Sequence, residues 1–342
     1  MNTTGPLLQV QHLSYRFPAQ HGVFRGQGPG LAAVERVSFA IAPGQVFGLV
    51  GESGSGKSTL ARCLLRLLRP QAGRVLFAGR DLLAAGPAEL RQARRRMQVV
   101  FQDPMTALSP RRTIGQSLHE PLQQFRLGSP REREDRIVAG LAEVGLDAGV
   151  LNRYPHQLSS GQRQRVCIAR ALLPGPDLVV ADEAVSALDV SVQAQVLKLV
   201  RELQRERGIA FLFISHDLAV IQQVADRVGV MYRGQLVETA SRDDLFRQPL
   251  HPYTRALLAA VPDPDPSARR ERPALPGQLS RKPATTGCAF ESRCEQAMAV
   301  CRQEAPGDHP GNGNPQHRVK CHAYAPTAKP LAERRGQTRD SE

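Results

Sequence analysis

Three short runs of uninterrupted apolar residues mark the centre of the predicted fold, at 46–50, 178–181 and 209–214. Runs of this length without polar alternation are typical of strands buried on both faces, as in parallel sheets covered by helices. Apolar residues at helical spacing follow two of these runs, in 59–68 and in the amphipathic stretch 192–207. Strands that alternate with helices predict an α/β fold with a largely parallel sheet.

Other segments predict the elements around this sheet. Apolar and polar residues alternate weakly in 7–17 and clearly in 34–41, and a short apolar run lies at 75–77. These segments predict an antiparallel sheet beside the parallel one. Residues 97–101 predict one more buried strand. From 104 to about 174 the apolar residues recur at helical spacing and no strand signal is present, so we expect an α-helical insertion there.

The composition changes after residue 260, and this predicts the domain organisation. We expect residues 1–260 to form one domain, followed by a proline-rich linker at 261–286. A small, irregular segment that contains four cysteines follows at 287–325; we call it the cysteine segment. The polar and charged tail at 326–342 is expected to be disordered.

Composition narrows the class of protein. The 342 residues are 41% apolar, which supports a sizeable core, and no apolar run is long enough for a transmembrane helix. The first residues lack the basic and apolar regions of a signal peptide, so we expect a cytoplasmic protein with reduced thiols. The net charge of +13 is spread along the chain and is not interleaved with aromatics, so we interpret it as a solvated surface and expect no nucleic-acid binding.

The segment 51–58, GESGSGKS, follows the first buried strand and precedes a helix. This is the pattern G-x-x-x-x-G-K-[ST] in its expected strand–loop–helix setting, and we call it the phosphate loop. Its glycines allow backbone N–H groups to surround a phosphate chain, a lysine reaches the outer phosphates, and a serine hydroxyl can bind Mg²⁺. The residues expected to contact the nucleotide are Gly51, Glu52, Ser53, Gly54, Ser55, Gly56, Lys57, Ser58 and the neighbouring Thr59.

Polar residues follow three other predicted buried strands. Asp182 and Glu183 end the strand at 178–181, and this pair is suited to hold Mg²⁺ and to polarise a water at a γ-phosphate. Gln102 follows 97–101 and is a candidate ligand of the metal and the attacking water. His216 follows 209–214 and is a candidate contact of the γ-phosphate. Alone, Gln102 would be an ordinary surface glutamine and His216 a structural histidine; the complete set predicts hydrolysis of a nucleoside triphosphate.

A second loop of phosphate-binding type lies at 158–162, LSSGQ, which we call the signature segment. Ser159, Gly161 and Gln162 open a predicted helix whose N–H groups are suited to bind phosphate. A simple helix cap is the alternative. One chain does not readily bring both loops to one phosphate, whereas two chains arranged head to tail do.

Taken in order, these motifs resemble the ATP-binding subunit of ABC transporters, over about residues 7–260. The resemblance implies a dimer in which each ATP lies between the phosphate loop of one subunit and the signature segment of the other. It also implies an aromatic residue that stacks on adenine, for which Phe17 is our first choice and Tyr15 the second. Two positions depart from the family pattern: Ser160 replaces a glycine and Ala184 replaces a proline. We still expect a competent ATPase.

Further motifs resemble the ATPases of dipeptide and oligopeptide importers, the second ATPase of dipeptide systems in particular. They include FQDP at 101–104, HPYT at 251–254, and GCAF at 287–290 with Arg293-Cys294. The resemblance implies a similar ATPase partner, two transmembrane permease subunits, an extracytoplasmic solute-binding protein, and a peripheral position on the cytoplasmic face of the inner membrane. Importers of nickel or other peptide-like solutes use similar ATPases, and non-transport ABC ATPases are a more distant alternative.

Cys288, Cys294, Cys301 and Cys321 have the spacing C-x5-C-x6-C-x19-C, which differs from common zinc sites. Disulfides are disfavoured in the expected compartment. The count fits a [4Fe–4S] cluster, which the resemblance to this importer subfamily also implies. Zinc, with His317 or His322 replacing one thiolate, and no metal at all are the alternatives. Cys63 and Cys167 are expected to be buried apolar residues.

Overall fold

The computed structural model describes residues 5–18, 30–260, 286–311 and 313–326. Nearly all of the predicted linker and of the predicted tail lie outside these ranges. The strands are β1 (Leu8–Arg16), β2 (Ala32–Ile41), β3 (Val46–Val50), β4 (Ala72–Phe77), β5 (Arg80–Asp81), β6 (Met97–Val100), β7 (Leu178–Asp182), β8 (Ala210–Ser215), β9 (Arg227–Tyr232), β10 (Gln235–Ser241), β11 (His309–Gly311) and β12 (Asn314–Val319). The helices are α1 (Lys57–Leu64), α2 (Pro87–Arg96), α3 (Pro104–Ala107), α4 (Ile114–Gln124), α5 (Pro130–Glu143), α6 (Ser160–Leu172), α7 (Val190–Arg207), α8 (Leu218–Val224), α9 (Arg242–Arg247), α10 (Pro252–Ala259) and α11 (Ala299–Gln303).

Within the described ranges the larger sheet has eight strands in the order β11-β12-β10-β9-β3-β8-β7-β6. The strands β9, β3, β8, β7 and β6 are parallel to one another. The smaller sheet has the order β2-β1-β4-β5 and is antiparallel. The predicted α/β fold with an adjoining antiparallel sheet is confirmed.

The central strands are buried on both faces, as their continuous apolar runs predict. In β3, Val46 and Val50 belong to one apolar cluster, whereas Phe47 and Leu49 belong to a second. The first cluster continues into the helices that follow β6, and the second continues into the smaller sheet. The large sheet therefore separates two cores, and burial on both sides fixes the positions of its strand ends.

Helices α3 to α6 occupy the chain between β6 and β7. The Thr113 hydroxyl caps α4 by accepting a bond from Gln116 N–H, and Ser129 caps α5 in the same way through Glu132 N–H. Both are the Ser/Thr caps expected at helix starts. The helical character of this stretch agrees with its periodicity; its delimitation as an insertion at 104–174 stays a prediction.

The cysteine segment joins the large sheet. Its strand β12 pairs antiparallel with β10, with Glu238 opposite Val319. Phe290 is buried within the first apolar cluster. The segment is therefore packed on the core of the ATPase fold, an arrangement that its sequence, interpreted as an irregular extension, did not predict.

None of the helices in the described part of the chain is long and apolar enough to cross a membrane.

Candidate active site

Four neighbouring parallel strands bring most of the predicted site residues to one edge of the large sheet. The phosphate loop follows β3, Asp182 ends β7, and His216 follows β8. The register pairs Val50 with Ser215 and Asp182 with Ile214. Because the carboxyl ends of adjacent parallel strands lie at the same edge, residues far apart in sequence meet there.

Two glycines give the phosphate loop its close backbone packing. Gly51 has φ +155° and Gly56 has φ +105°. A Cβ at Gly51 would lie 2.1 Å from the carbonyl oxygen of Met231, and one at Gly56 would lie 2.1 Å from that of Ala33. Side chains are excluded at both positions, so the loop backbone forms a cradle that only glycine permits.

Lys57 begins α1, and its side chain folds back over the phosphate loop. Its Nζ donates to the carbonyl oxygens of Gly51 at 2.7 Å and Glu52 at 3.0 Å. Burial lowers the pKa of this ammonium, while the carboxylates of Glu183, Asp182 and Glu52 act in the opposite direction. A buried cation whose hydrogen-bond acceptors are uncharged carbonyl oxygens is suited to contact an anion.

Ser58 and Asp182 meet across the strand end. The Ser58 hydroxyl donates to Asp182 Oδ1 at 3.0 Å. Burial raises the pKa of Asp182, and the bond from Ser58 opposes this change. A hydroxyl and a carboxylate in contact are the oxygen ligands that Mg²⁺ prefers, so the donor set fits this metal.

Glu183 lies beside His216. The distance from His216 Nδ1 to Glu183 Oε2 is 3.4 Å. Glu183 has φ +50°, a left-handed conformation that is uncommon outside glycine. Its N–H donates to Ile214 O at 3.0 Å, and its carbonyl accepts a bond from the Ser186 hydroxyl at 3.0 Å. These bonds hold the strained backbone so that the carboxylate points toward the β8 end.

Gln102, Phe17 and the signature segment stand apart from this set. Gln102 is exposed after β6, which pairs with β7 through Val100 and Ala181, so it lies at the same sheet edge. Phe17 is 37% exposed and contacts Tyr15 edge-to-face at 5.1 Å, whereas Tyr15 is 8% exposed. Among the described residues, no hydrogen bond joins the signature segment to the phosphate loop.

The signature segment forms the start of α6. The Ser159 hydroxyl accepts a bond from Gln162 N–H at 3.2 Å, and the Gln162 side chain accepts one from Ser159 N–H at 3.1 Å. A Cβ at Gly161 would lie 2.7 Å from Val192 Cγ1, so glycine lets α6 approach the first turn of α7. Of the two departures from the family pattern, Ser160 is exposed at the start of α6, and Ala184 is buried beside a small apolar cavity.

Four thiols of the cysteine segment line one small cavity. Cys288, Cys294, Cys301 and Cys321 border it together with His251 and His322. Burial raises the pKa of Cys288 to about 11 and also raises the pKa values of Cys294 and Cys321. All four are free thiols. In the described ranges, no three or more Cys, His, Asp or Glu side chains lie close enough together to hold a metal ion as they stand.

Two contacts of Glu52 were not anticipated from the sequence. Arg293 forms a bidentate ion pair with its carboxylate, at 3.0 and 3.1 Å. The Tyr253 hydroxyl accepts a bond from Glu52 N–H at 2.9 Å. The only sequence signal was that both residues lie in motifs shared with peptide importers, HPYT and GCAF…RC.

Comparison with known proteins agrees with this geometry. Residues 34–186 match the ABC transporter family, and residues 237–301 match the oligopeptide/dipeptide transporter C-terminal region. A probable peptide ABC transporter ATP-binding protein, y4tS of Sinorhizobium fredii, is 50% identical over 94% of this chain and 91% of its own length. The chain belongs to the ATP-binding proteins of peptide ABC transporters. It is an ATPase subunit.

Two further relatives extend this assignment. The oligopeptide transport ATP-binding protein AppF of Bacillus subtilis is 44% identical, over 93% of this ABC ATPase and 98% of AppF. The ATP-binding cassette MJ0796, solved as a dimer in a post-hydrolysis state with ADP and Pi, has a TM-score of 0.61 and 27% identity, over 69% of this chain and 98% of that cassette. The fold predicted from the motifs is confirmed.

Proposed function

We propose that this ATPase powers the import of dipeptides or oligopeptides across the cytoplasmic membrane. The observation that carries the proposal is the meeting of the phosphate loop, the Ser58–Asp182 pair and the Glu183–His216 pair at one sheet edge. The peptide substrate rests on the match to the oligopeptide/dipeptide C-terminal region and on relatives named for peptide import.

In this proposal the phosphate loop and Thr59 hold the phosphates of ATP, with Lys57 at the outer ones. Ser58 and Asp182 would hold Mg²⁺, with Gln102 as a third ligand; the bound metal neutralises charge on the phosphate oxygens. Phe17, the exposed member of the aromatic pair, stacks on adenine.

Hydrolysis then depends on Glu183. Its carboxylate orients a water and accepts a proton as the water oxygen bonds to the γ-phosphorus and the bond to the β-phosphate oxygen breaks. His216, 3.4 Å from that carboxylate, holds the glutamate and contacts the γ-phosphate. The left-handed backbone of Glu183 fixes this geometry before ATP arrives.

The signature segment serves the ATP of a partner. Its N-terminal position on α6 and its lack of a described bond to the chain's own phosphate loop support a head-to-tail pair. Ser159, Gly161 and Gln162 would present the helix start to the partner's γ-phosphate. The pair would lie on the cytoplasmic face of the inner membrane against two permease subunits, supplied by an extracytoplasmic solute-binding protein.

We further propose that the cysteine segment holds a [4Fe–4S] cluster with a structural role. Four thiols around one cavity fit its donor set, and thiols whose pKa values are raised by burial would release protons on binding iron. Anaerobically purified protein should be brown and contain about four irons per chain. Stoichiometric zinc without iron would contradict this assignment.

Uptake by whole cells tests the transported substrate. A strain lacking this chain should lose uptake of labelled dipeptides or tripeptides, and the parent sequence should restore it. Lys57→Ala should fail to restore it, because the phosphates lose their buried cation. Restoration of nickel uptake in place of peptide uptake would contradict the proposed substrate.

A further inference from the structure

The ion pair between Arg293 and Glu52 links the cysteine segment directly to the phosphate loop. The two terminal nitrogens of the guanidinium donate to the two carboxylate oxygens, at 3.1 and 3.0 Å. The arginine side chain is 7% exposed and the glutamate side chain 23% exposed. The partners are separated by 241 residues. This is a largely buried, bidentate ion pair, the geometry in which arginine is most selective for a carboxylate.

The arginine is itself held in place by aromatic rings. Its guanidinium carbon lies 5.8 Å from the ring centre of Tyr232 and 5.9 Å from that of Phe290. These two rings contact each other edge-to-face at 5.3 Å. Phe290 belongs to the cysteine segment and Tyr232 to β9. The guanidinium is thereby held between the segment and the sheet by contacts that are independent of Glu52.

Glu52 is fixed at its backbone as well. Its N–H donates to the Tyr253 hydroxyl at 2.9 Å, and its carbonyl accepts a bond from Lys57 Nζ at 3.0 Å. Tyr253 is fully buried against Tyr232, with ring centres 4.6 Å apart. The second residue of the phosphate loop is thus held through its side chain, its N–H and its carbonyl.

The charge of Glu52 makes the pair important for nucleotide binding. Burial lowers the pKa of the Lys57 ammonium, and the Glu52 carboxylate is close enough to oppose this change, together with Glu183 and Asp182. A bare carboxylate on the second residue of the phosphate loop would repel a triphosphate, and pairing with a guanidinium offsets that negative charge. Arg293 therefore neutralises a negative charge at the phosphate site and holds the loop backbone.

We propose that Arg293 is a positioning residue for ATP binding, acting through Glu52, so that the cysteine segment braces the phosphate loop. The inference rests on the proposed nucleotide site at 51–59. The alternative is that the pair only anchors the segment to the core, which would affect stability and leave ATP affinity unchanged.

Titration of the purified full chain with a fluorescent, non-hydrolysable ATP analogue and Mg²⁺ separates these two roles. For Arg293→Gln we expect Kd to rise about tenfold, because the phosphate loop then carries an unpaired carboxylate. Arg293→Lys keeps the positive charge but not the bidentate geometry, and it should recover part of the affinity. Adding Glu52→Gln to Arg293→Gln should also recover affinity, because it removes the repelling charge.

Two controls make the outcome interpretable. Arg302→Gln breaks the exposed ion pair of Arg302 with Glu291, 2.9 Å, in the same segment and should leave Kd within about twofold. Lys57→Ala should abolish binding at the proposed site. If Lys57→Ala abolishes binding while Arg293→Gln leaves Kd unchanged, the positioning role of Arg293 is refuted and the proposed nucleotide site is retained. Normal binding by Lys57→Ala would instead overturn the site itself.

A stability measurement completes the test. The thermal midpoint of each variant is recorded, and every titration is made well below the lowest midpoint. If neither Arg293→Lys nor the added Glu52→Gln reduces the affinity loss of Arg293→Gln, the loss does not come from the unpaired carboxylate of Glu52 and the proposal is overturned.

Discussion

The buried carboxylate of Glu238 on β10 should anchor the cysteine segment to the ATPase core. Its two oxygens accept three hydrogen bonds: from Leu250 N–H at 2.8 Å, from His251 N–H at 2.9 Å and from His317 Nε2 at 2.7 Å. The side chain is completely buried. His317 lies on β12, so this one carboxylate ties the sheet extension and the start of α10 to β10.

Two substitutions at this position should destabilise the protein by different amounts. Glu238→Ala leaves two backbone donors and the partner histidine buried without an acceptor, which should cost about 3–5 kcal/mol. Glu238→Gln keeps one oxygen, but its NH₂ group must face a backbone N–H whichever way the amide is turned. One donor then lacks an acceptor, at a cost of about 1–3 kcal/mol.

Urea unfolding followed by circular dichroism measures these losses through the midpoint concentration. The matched control is Glu202→Ala, which removes the surface pair of Lys198 and Glu202, 3.7 Å apart, and should cost less than about 0.5 kcal/mol. We expect the midpoint concentration to be highest for Glu202→Ala, lower for Glu238→Gln and lowest for Glu238→Ala. If Glu238→Ala unfolded at the same urea concentration as the control, the anchoring role of this carboxylate would be refuted.

Substitutions in three further parts of the site test the account. Gly161→Ala should cost about 1–3 kcal/mol in urea unfolding through its contact with Val192, and adding Val192→Ala should recover most of it; an uncompensated loss contradicts that contact. Gly56→Ala should abolish binding of the ATP analogue, because only glycine fits the cradle there; wild-type affinity would contradict the cradle. Phe17→Ala should weaken analogue binding with an unchanged thermal midpoint, whereas Tyr15→Ala should lower the midpoint; the reverse pattern would assign the adenine contact to Tyr15.

The fold could be predicted from sequence where burial is uniform along an element. The apolar runs at 46–50 and 178–181 lie in β3 and β7 because both faces of these strands are covered. The helix after the phosphate loop was predicted to reach residue 68 but ends at Leu64, since Arg66 adopts φ +51°. Apolar periodicity does not report such a turn.

The sequence of the cysteine segment has little of the pattern that predicts strands. Strand β11 is three residues long and contains Pro310 and Gly311, types that are depleted in strands. Strand β12 pairs with β10, far away in sequence, and β11 pairs with β12. Local pattern does not encode such a contact, so the segment was predicted to be irregular.

The site also has a part that the sequence predicts and a part that it does not. The phosphate loop and the acids after β7 are contiguous motifs, and their chemistry can be predicted from spacing alone. The pairing of Arg293 with Glu52 joins residues 241 positions apart, and no periodicity relates them. The packing of Phe290 and Tyr232 brings that arginine to the loop.

Glu183→Gln tests the central claim most directly, because it removes the proposed base and keeps the shape of the side chain. With Mg²⁺ and ATP, we expect this variant to lose hydrolysis by about a hundredfold or more and to accumulate as an ATP-bound dimer with its partner ATPase, measured by light scattering and nucleotide content. Hydrolysis of ATP at the parent rate would contradict the assignment of Glu183 and the account of the site built on it.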